Sequence, residues 1–326
     1  MQRVLRIGTR DSQLAVWQAT LVQDLLKNAG VASELVYMKS EGDVDTVTPL
    51  YALGVTGVFT KTLDAALLND RIDIAVHSMK DVPVQLAQGI QQAAVLERAS
   101  HKDIFVAHPE DPATEKILAQ VSLSEKPDSH FAHAIVATGS VRRIAQWLNK
   151  FPNHKIESLR GNVNTRLRKL KESNWQGAIF AAAGLERIHL RPERSVDLDW
   201  MLPAPAQGAI MVVCRENDDY ASKSCQALND DATDLCTKIE RDFLNGLLGG
   251  CSTPISALAE VKGEEVFFKG NIVSPDGKSR VDIEKQIALA DASNLGLTAA
   301  KEILLKGGDP IVKRIRNKGL TIDGDA

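Results

Sequence analysis

Short apolar runs alternate with segments of helical hydrophobic spacing in the first part of the chain. This alternation predicts strands at residues 4–8, 34–39 and 72–76, and helices at 12–30 and 59–68. Ser12 can cap the first helix, and Gly30 ends it. The order β-α-β-α-β is typical of a mostly parallel α/β sheet, in which a ligand crevice lies at the carboxyl ends of the strands.

A second α/β unit follows a polar stretch with scattered prolines at residues 108–128. Strands are predicted at 134–137, 155–159 and 177–182, with helices at 141–148 and 163–171. The two prolines of segment 202–206 exclude it from the interior of a sheet or helix and predict a hinge or crossover. Because the apolar strand 210–214 follows, we expect the chain to cross back there.

The pattern changes from about residue 230 onward, where strands cluster without alternating helices. A helix is predicted at 235–244, a break at 246–250, strands at 255–261, 265–272 and 280–288, and a helix at 294–306. This order indicates a small α+β domain. We therefore predict three domains: residues 1–98 with 209–226, residues 104–202, and residues 230–326.

The composition, with 44% hydrophobic and 25% charged residues among 326, is typical of a soluble globular protein. The net charge of −3 is too near neutral to indicate a nucleic-acid or membrane-surface protein. Residues 138–194, however, contain twelve basic and four acidic residues, a net charge of +8 that leaves −11 for the rest of the chain. Such a basic block indicates an anionic partner or, with equal weight, arginines on solvated helix faces.

The first residues contain no apolar segment of a signal peptide, and no run approaches the ~20 apolar residues that span a bilayer. We therefore expect a cytoplasmic protein without a membrane partner. The cysteines at 214, 225, 236 and 251 lie far apart, without a C-x-x-C motif or a nearby histidine pair. Neither a metal site nor a disulfide framework is predicted, and the thiols are expected to be reduced and mostly buried.

Several arginines follow predicted strands or lie in the first turn of the next helix. Arg10 follows the first strand, where it can hold an anion together with backbone donors, or simply face solvent beside a helix cap. Arg142 and Arg143 oppose the helix dipole, a cost that an anion between them would offset. Similar positions are occupied by Arg160, Arg166 and Arg187. We expect these charges to converge on one crevice for carboxylates or phosphates.

Two segments contain candidates for chemistry. Asp81, which lies beside Lys80 in the segment that follows strand 72–76, can transfer a proton, stabilise a transient cation, or form half of an ion pair. His77 fits a structural histidine better than a base, because no serine or cysteine nucleophile motif accompanies it. In the glycine-rich loop at 249–254, Cys251 is the candidate for covalent chemistry, since the glycines leave room for close approach to its sulfur.

Together these segments resemble the hydroxymethylbilane synthase family, also called the porphobilinogen deaminases, over nearly the whole chain. The resemblance is carried by residues 7–18, 57–61, 77–83, 138–143, 159–166, 183–187 and 249–254. It implies a monomeric α/β enzyme with two domains similar to type 2 periplasmic binding proteins and a small α+β C-terminal domain. It also implies a dipyrromethane cofactor, bound through a thioether to Cys251, to which four porphobilinogen molecules are added with loss of ammonia. Water then releases linear hydroxymethylbilane.

The resemblance further implies a role for each candidate residue. Asp81 would be the catalytic group, and Cys251 would hold the cofactor covalently. The cofactor's other contacts would be Lys80, Ser12, Thr138, Ser140, Arg142, Arg143 and Arg160. The substrate would be bound by Arg10, Arg166, Arg187, Gln18 and Phe59. Thr56 and Thr62 depart from the family's usual residues, so we expect the loop at 40–59 to contact the growing chain differently.

Two other interpretations remain at this point. A non-catalytic anion-binding protein of the periplasmic-binding-protein type would explain two lobes and the arginines, but it gives Asp81 and Cys251 no role. RNA binding through the basic block is the second. It is poorly supported, because most aromatic residues of that block fit amphipathic-core positions rather than a stacking platform. We therefore expect no nucleic-acid partner.

Overall fold

The computed structural model describes residues 3–39, 60–123, 131–247 and 253–318. Its strands are β1 (Leu5–Arg10), β2 (Ser33–Met38), β3 (Ile74–Ser78), β4 (Ile90–Val95), β5 (Asp103–Ala107), β6 (Ile135–Ala137), β7 (Lys155–Glu157), β8 (Gly177–Ala181), β9 (Ser195–Asp197), β10 (Ile210–Arg215), β11 (Ile255–Lys262), β12 (Glu265–Val273) and β13 (Arg280–Ala288). Its α-helices are α1 (Gln13–Asn28), α2 (Lys61–Leu68), α3 (Thr114–Leu123), α4 (Val141–Lys150), α5 (Val163–Lys171), α6 (Ala182–Glu186), α7 (Asp219–Gln226), α8 (Asp231–Leu247), α9 (Leu295–Ile303) and α10 (Asp309–Lys318). Single-turn 3₁₀ and π segments are Met79–Asp81, Leu289–Asn294 and Leu304–Gly308.

The first sheet has the order β2-β1-β3-β10-β4. Strand β1 is parallel to β2 and β3, whereas β10 is antiparallel to both of its neighbours. With α1, α2 and α7 this sheet forms what we call the first unit. The return of β10 to this sheet, long after β4 in the chain, confirms the predicted crossing back near residue 210.

The second sheet repeats this arrangement in the order β7-β6-β8-β5-β9. Strand β6 is parallel to β7 and β8, and β5 is antiparallel to both of its neighbours. We call this sheet with α3 to α6 the second unit. The chain passes between the two units twice, between β4 and β5 and between β9 and β10, and each passage delivers an antiparallel strand to the fourth position of a sheet.

The third sheet is antiparallel, in the order β11-β12-β13, and with α8, α9 and α10 it forms the third unit. Its core is centred on Ile239 and Phe243 of α8, with Phe268 of β12. Helices α8 and α9 approach closely, because a Cβ on Gly296 would lie 2.1 Å from the Ile239 carbonyl oxygen. Gly246, predicted to break the helix, instead lies within α8, where a Cβ would meet Ala300 at 2.6 Å.

One buried carboxylate joins the three units. Glu240 of α8 accepts hydrogen bonds from Arg98 Nη1 at 2.6 Å and Nη2 at 3.0 Å. It also accepts from the backbone nitrogens of Ala206 at 2.6 Å and Ala259 at 2.8 Å. Arg98 lies on the first passage between units, Ala206 on the second, and Ala259 in the third unit. These contacts do not test the predicted domain boundaries. The division into residues 1–98 with 209–226, 104–202 and 230–326 therefore stays a proposal.

The hydrophobic pattern predicted the position of α1 correctly, but it did not predict which side chains of this helix are buried. The buried face of α1 is formed by Ala15, Gln18, Ala19, Val22 and Leu26. The helical spacing that predicts this helix is that of Leu14, Trp17, Leu21 and Leu25, and these four side chains are only partly buried. Ser12 is at the cap position of α1, but its side chain makes no capping hydrogen bond, and only its carbonyl accepts from Val16 at 2.9 Å.

Candidate active site

The turn that carries Lys80 and Asp81 comes directly after β3. Strand β3 is buried and ends at Ser78, and the 3₁₀ turn Met79–Asp81 follows. Asp81 is exposed, whereas Lys80 is partly buried and donates from Nζ to Gln207 Oε1 at 3.3 Å. Burial, followed by the charge of Arg143, lowers the pKa of Lys80 to about 8. The turn therefore presents an exposed carboxylate beside a largely desolvated ammonium group.

Arg142 and Arg143 lie in the first turn of α4, and both are almost completely buried. Both donate to the same carboxylate, because Arg142 Nη2 lies 2.7 Å from Asp103 Oδ2 and Arg143 Nη2 lies 2.7 Å from Asp103 Oδ1. The anion between the two arginines in this structure is thus a residue of the chain itself. Sequence reasoning missed Asp103, because β5, which begins at this residue, was not predicted.

Asp103 is also connected to Lys80. Gln207, on the second passage between units, donates from Nε2 to Asp103 Oδ1 at 3.0 Å while its own Oε1 accepts from Lys80. Burial alone would raise the pKa of Asp103, but the charges of Arg142, Arg143 and Lys80 lower it to about 2. The carboxylate therefore stays ionised and holds three cationic side chains in one network.

A small cavity of about 40 Å³ lies against this network. Lys80, Ser140, Arg142 and Leu244 contribute to its wall, together with Thr253, two residues after Cys251 in sequence. The Nε of Arg142 is buried and has no hydrogen-bond partner among the described residues. The side chain of Ser140 makes no capping bond to α4. A cavity whose wall includes an arginine, a lysine and two hydroxyl side chains can accept an anionic group.

Arg166, near the start of α5, belongs to the same site as the arginines at the start of α4. Burial, followed by repulsion from Arg143, lowers the pKa of Arg166 to about 10, while Asp81 opposes this shift and Arg160 adds to it. Arg166 is anchored by its Nε, which donates to the Gly161 carbonyl at 2.7 Å. Arg160 itself is buried, as is Thr138 before α4. The predicted convergence of charges at the ends of the strands therefore holds for Arg166, Arg160 and the pair on α4.

Arg187 of the second unit lies against the first unit, whereas Gln18 is held within the first unit. Arg187 is buried, lies 5.7 Å from the ring centroid of Trp17 and donates to the Gly208 carbonyl at 2.7 Å. Burial lowers its pKa to about 10. Gln18 is also buried, and its Nε2 donates to Ser78 Oγ at 2.9 Å. Gln18 thus holds Ser78, the residue directly before the turn Met79–Asp81.

Arg10 and His77 lie near each other at the end of the first sheet. Burial, with a further contribution from the charge of Arg10, lowers the pKa of His77 to about 4. Its Nε2 is buried and makes no hydrogen bond within the described chain. A neutral, desolvated imidazole of this kind agrees with the structural role favoured by the sequence.

The cysteines fall into two groups. Cys214, Cys225 and Cys236 are free and buried, and burial raises the pKa of each thiol, to about 12 for Cys225 and about 11 for Cys236. Cys251 lies outside the described residues, as does Phe59. Within the described ranges no cluster of His, Cys, Asp or Glu could hold a metal ion. No helix in those ranges has the length and apolar character needed to cross a membrane.

Replacing Asp103 by alanine should lower the free energy of unfolding by about 3–5 kcal/mol, because two buried guanidinium groups lose their counter-charge. Urea denaturation measures this change. Asp282→Ala provides a control. The half-exposed carboxylate of Asp282 forms a surface ion pair with Arg280, and the loss of such a pair costs about 0–1 kcal/mol. Equal stability of the Asp103→Ala protein and the wild type would contradict the role of Asp103.

The same carboxylate has a defined pH dependence. Its pKa of about 2 lies below the value of about 3.9 expected in the unfolded chain. The stabilisation by Asp103 is therefore complete above about pH 5 and is lost as the pH falls toward 2. The difference in stability between wild type and Asp103→Ala should shrink over that range.

Two similar α/β units, with arginines, a lysine and an exposed aspartate brought close together, define an α/β protein with a strongly cationic site. The chain matches the family model described as "Porphobilinogen deaminase, dipyromethane cofactor binding domain" over residues 5–223. It matches "Porphobilinogen deaminase, C-terminal domain" over residues 234–305. A curated porphobilinogen deaminase of Campylobacter hominis is 39% identical over 315 residues, which is 95% of this chain and 97% of that protein.

The chain therefore belongs to the porphobilinogen deaminase family. Membership makes it a transferase of tetrapyrrole biosynthesis that works with a dipyrromethane cofactor, which confirms the predicted family, enzyme class and cofactor. A non-catalytic anion-binding protein is not favoured. Among solved structures, the periplasmic VFT2 domain of Bordetella pertussis BvgS is 13% identical, with a TM-score of 0.41 over 71% of this chain and 89% of that one. The methionine-binding protein MetQ is 16% identical, with a TM-score of 0.41 over 70% and 91%.

Proposed function

We propose that this chain adds four porphobilinogen molecules in turn to a dipyrromethane held by Cys251, and then releases linear hydroxymethylbilane by hydrolysis. The observation that carries the proposal is the cavity lined by Lys80, Ser140 and Arg142, which brings two cationic side chains to one space. Exposed Asp81 follows Lys80 on the same turn. This arrangement supports an anion-binding site beside a group able to move protons.

The side chains around the cavity have the chemistry that a carboxylate group of a dipyrromethane needs. Its acetate and propionate carboxylates need charge-assisted donors, and the cavity wall includes the side chains of Arg142, Lys80 and Ser140. The full set proposed to hold it is Cys251, Lys80, Ser12, Thr138, Ser140, Arg142, Arg143 and Arg160. When bound, this group supplies a nucleophilic pyrrole carbon as the primer.

A growing polypyrrole explains why so many arginines are collected in one place. Each added pyrrole brings two carboxylates, and arginine binds carboxylates through two parallel hydrogen bonds. The residues proposed to serve the incoming substrate and the chain are Arg10, Arg166, Arg187, Gln18 and Phe59. In this proposal residues 138–194, with their net charge of +8, form one wall of a cleft for a polycarboxylate.

Asp81 is proposed as the catalytic group. Its carboxyl can deliver a proton to the amine that leaves porphobilinogen as ammonia. The resulting carboxylate then stabilises the positive charge that spreads over the substrate pyrrole. Arg166 and Lys80 both interact electrostatically with Asp81.

The test of this proposal is direct. The purified protein, incubated with porphobilinogen, should release ammonia and form a linear tetrapyrrole that cyclises with loss of water to uroporphyrinogen I, which added iodine oxidises to the absorbing uroporphyrin I. Intact mass should show an addition of two pyrrole units, and an acidic aldehyde reagent should colour the protein before substrate is added. A protein that binds porphobilinogen without releasing ammonia would refute the proposal.

The setting of the reaction is part of the proposal. The three buried free thiols support a reducing, cytoplasmic compartment. We take the protein to act as a monomer on small molecules, without a nucleic-acid or membrane partner. RNA binding that falls steeply with salt would contradict this part of the proposal.

A further inference from the structure

Arg241 of α8 binds the backbone of the catalytic turn on both sides of Lys80 and Asp81. Its Nη1 donates to the Met79 carbonyl at 3.4 Å and to the Val82 carbonyl at 3.0 Å. Its Nη2 donates to the Pro83 carbonyl at 2.7 Å and to the Val84 carbonyl at 3.1 Å. One buried guanidinium group from the third unit thus holds four carbonyl oxygens of a segment that belongs to the first unit.

Two further contacts attach this segment to the third unit. Val84 packs against the hydrophobic core of the third unit, although its chain neighbours belong to the first. Leu244, one helical turn after Arg241 on α8, lines the cavity beside Lys80. The same helix therefore fixes the backbone of the turn and forms part of the wall of the candidate cofactor cavity.

Helix α8 is also close in sequence to the proposed cofactor attachment. Helix α8 ends at Leu247, four residues before Cys251. The segment that carries the proposed catalytic group and the segment that carries the proposed cofactor attachment are thus both joined to one helix.

We propose that Arg241 is a positioning residue for the reaction, one that fixes the Lys80–Asp81 turn to the helix leading into the Cys251 loop. This inference rests on the proposed function. The polypyrrole grows, and the first and second units adjust to it. During this growth Arg241 keeps Asp81 at a fixed position relative to helix α8, which leads to the cofactor attachment at Cys251.

Arginine is suited to this task for a physical reason. Its planar guanidinium has five donors in a fixed fork, so two nitrogens can serve four carbonyls at once. Lysine has a single nitrogen on a flexible stem and cannot span the same set of acceptors. Carbonyls left without a donor in this buried place would draw in water or move, and the turn would lose its fixed position.

The test compares Arg241→Lys and Arg241→Met with Arg215→Lys in the cofactor-loaded protein. Arg215 is the matched control, because its Nη1 donates to the Leu67 carbonyl at 2.8 Å and the Ile72 carbonyl at 2.7 Å, away from the catalytic turn. We expect both Arg241 variants to keep the cofactor by intact mass and to lose kcat by about tenfold to hundredfold, with KM changed less than about threefold. Arg215→Lys should lower Tm to a similar extent without this loss of kcat.

A double-mutant cycle separates positioning from general stability. Asp81→Glu moves the carboxylate by one methylene and should already be slow, so Arg241→Lys should cost less than about threefold in that background. An equal loss in both backgrounds, an unchanged kcat of Arg241→Lys, or a loss confined to KM would each overturn the inference. If Arg241→Met does not fold, Arg241→Lys decides alone. Loss of cofactor from a folded Arg241→Lys protein would also overturn it.

The outcome is distinguishable from failure of the proposed function. A wild-type protein that releases no ammonia from porphobilinogen refutes the function, whatever the variants do. If the wild type is active, the kcat and KM values of the variants test the role of Arg241 alone.

Discussion

Replacing Asp81 by asparagine should leave a folded protein that still carries its cofactor but has lost nearly all turnover. The amide has the same shape as the carboxyl group, but it cannot deliver a proton at neutral pH or neutralise a cation. General acid–base catalysis contributes about 10²–10⁴-fold, and loss of charge stabilisation adds to this. The rate of ammonia release and the intact mass measure the two parts of this expectation.

Two variants delimit the interpretation of Asp81→Asn. Asp81→Glu keeps the carboxylate and should retain part of the activity. Asp291→Asn, which changes an exposed carboxylate in the third unit, should behave as the wild type. An Asp81→Asn protein with wild-type turnover would remove Asp81 from the mechanism.

The second large effect is expected at Cys251. Cys251→Ala should show no covalent mass addition, no colour with acidic aldehyde reagent and no turnover. The physical reason lies in the other three thiols, which are buried and have raised pKa values, so that little thiolate forms on them at neutral pH.

Cys225→Ala is the matched control for this experiment, because it removes the most strongly perturbed of the three buried thiols. It should keep the adduct even if the cavity that it leaves lowers Tm. A covalent dipyrromethane found on Cys214, Cys225 or Cys236 would contradict the assignment to Cys251.

The sequence predicted the regular elements best where hydrophobic periodicity was strong and local. Helix α5 was predicted at 163–171 and is observed there, and the three strands of the third unit are within about two residues of their predicted ends. Strands β4 and β5 were missed. Helix α3 was missed because it lies in a polar, proline-containing stretch where the apolar pattern is weak.

The candidate site shows the same division between local and long-range information. Parallel strands end at one edge of a sheet, so the convergence of Arg142, Arg143 and Arg166 followed from their positions after strands. Asp103, Gln207 and Arg241 could not be found that way. They come from an antiparallel strand, an irregular passage between units and the third unit, and only the tertiary fold brings them to Lys80 and Asp81.

The shared carboxylate of Glu240 has a mechanical consequence. Each of the two passages between the α/β units is fastened to it, through Arg98 and through the Ala206 amide, and the third unit is fastened through the Ala259 amide. A rotation of one α/β unit against the other keeps these bonds only if its axis passes close to Glu240. Replacing this one carboxylate would therefore loosen both passages and the third unit at the same time.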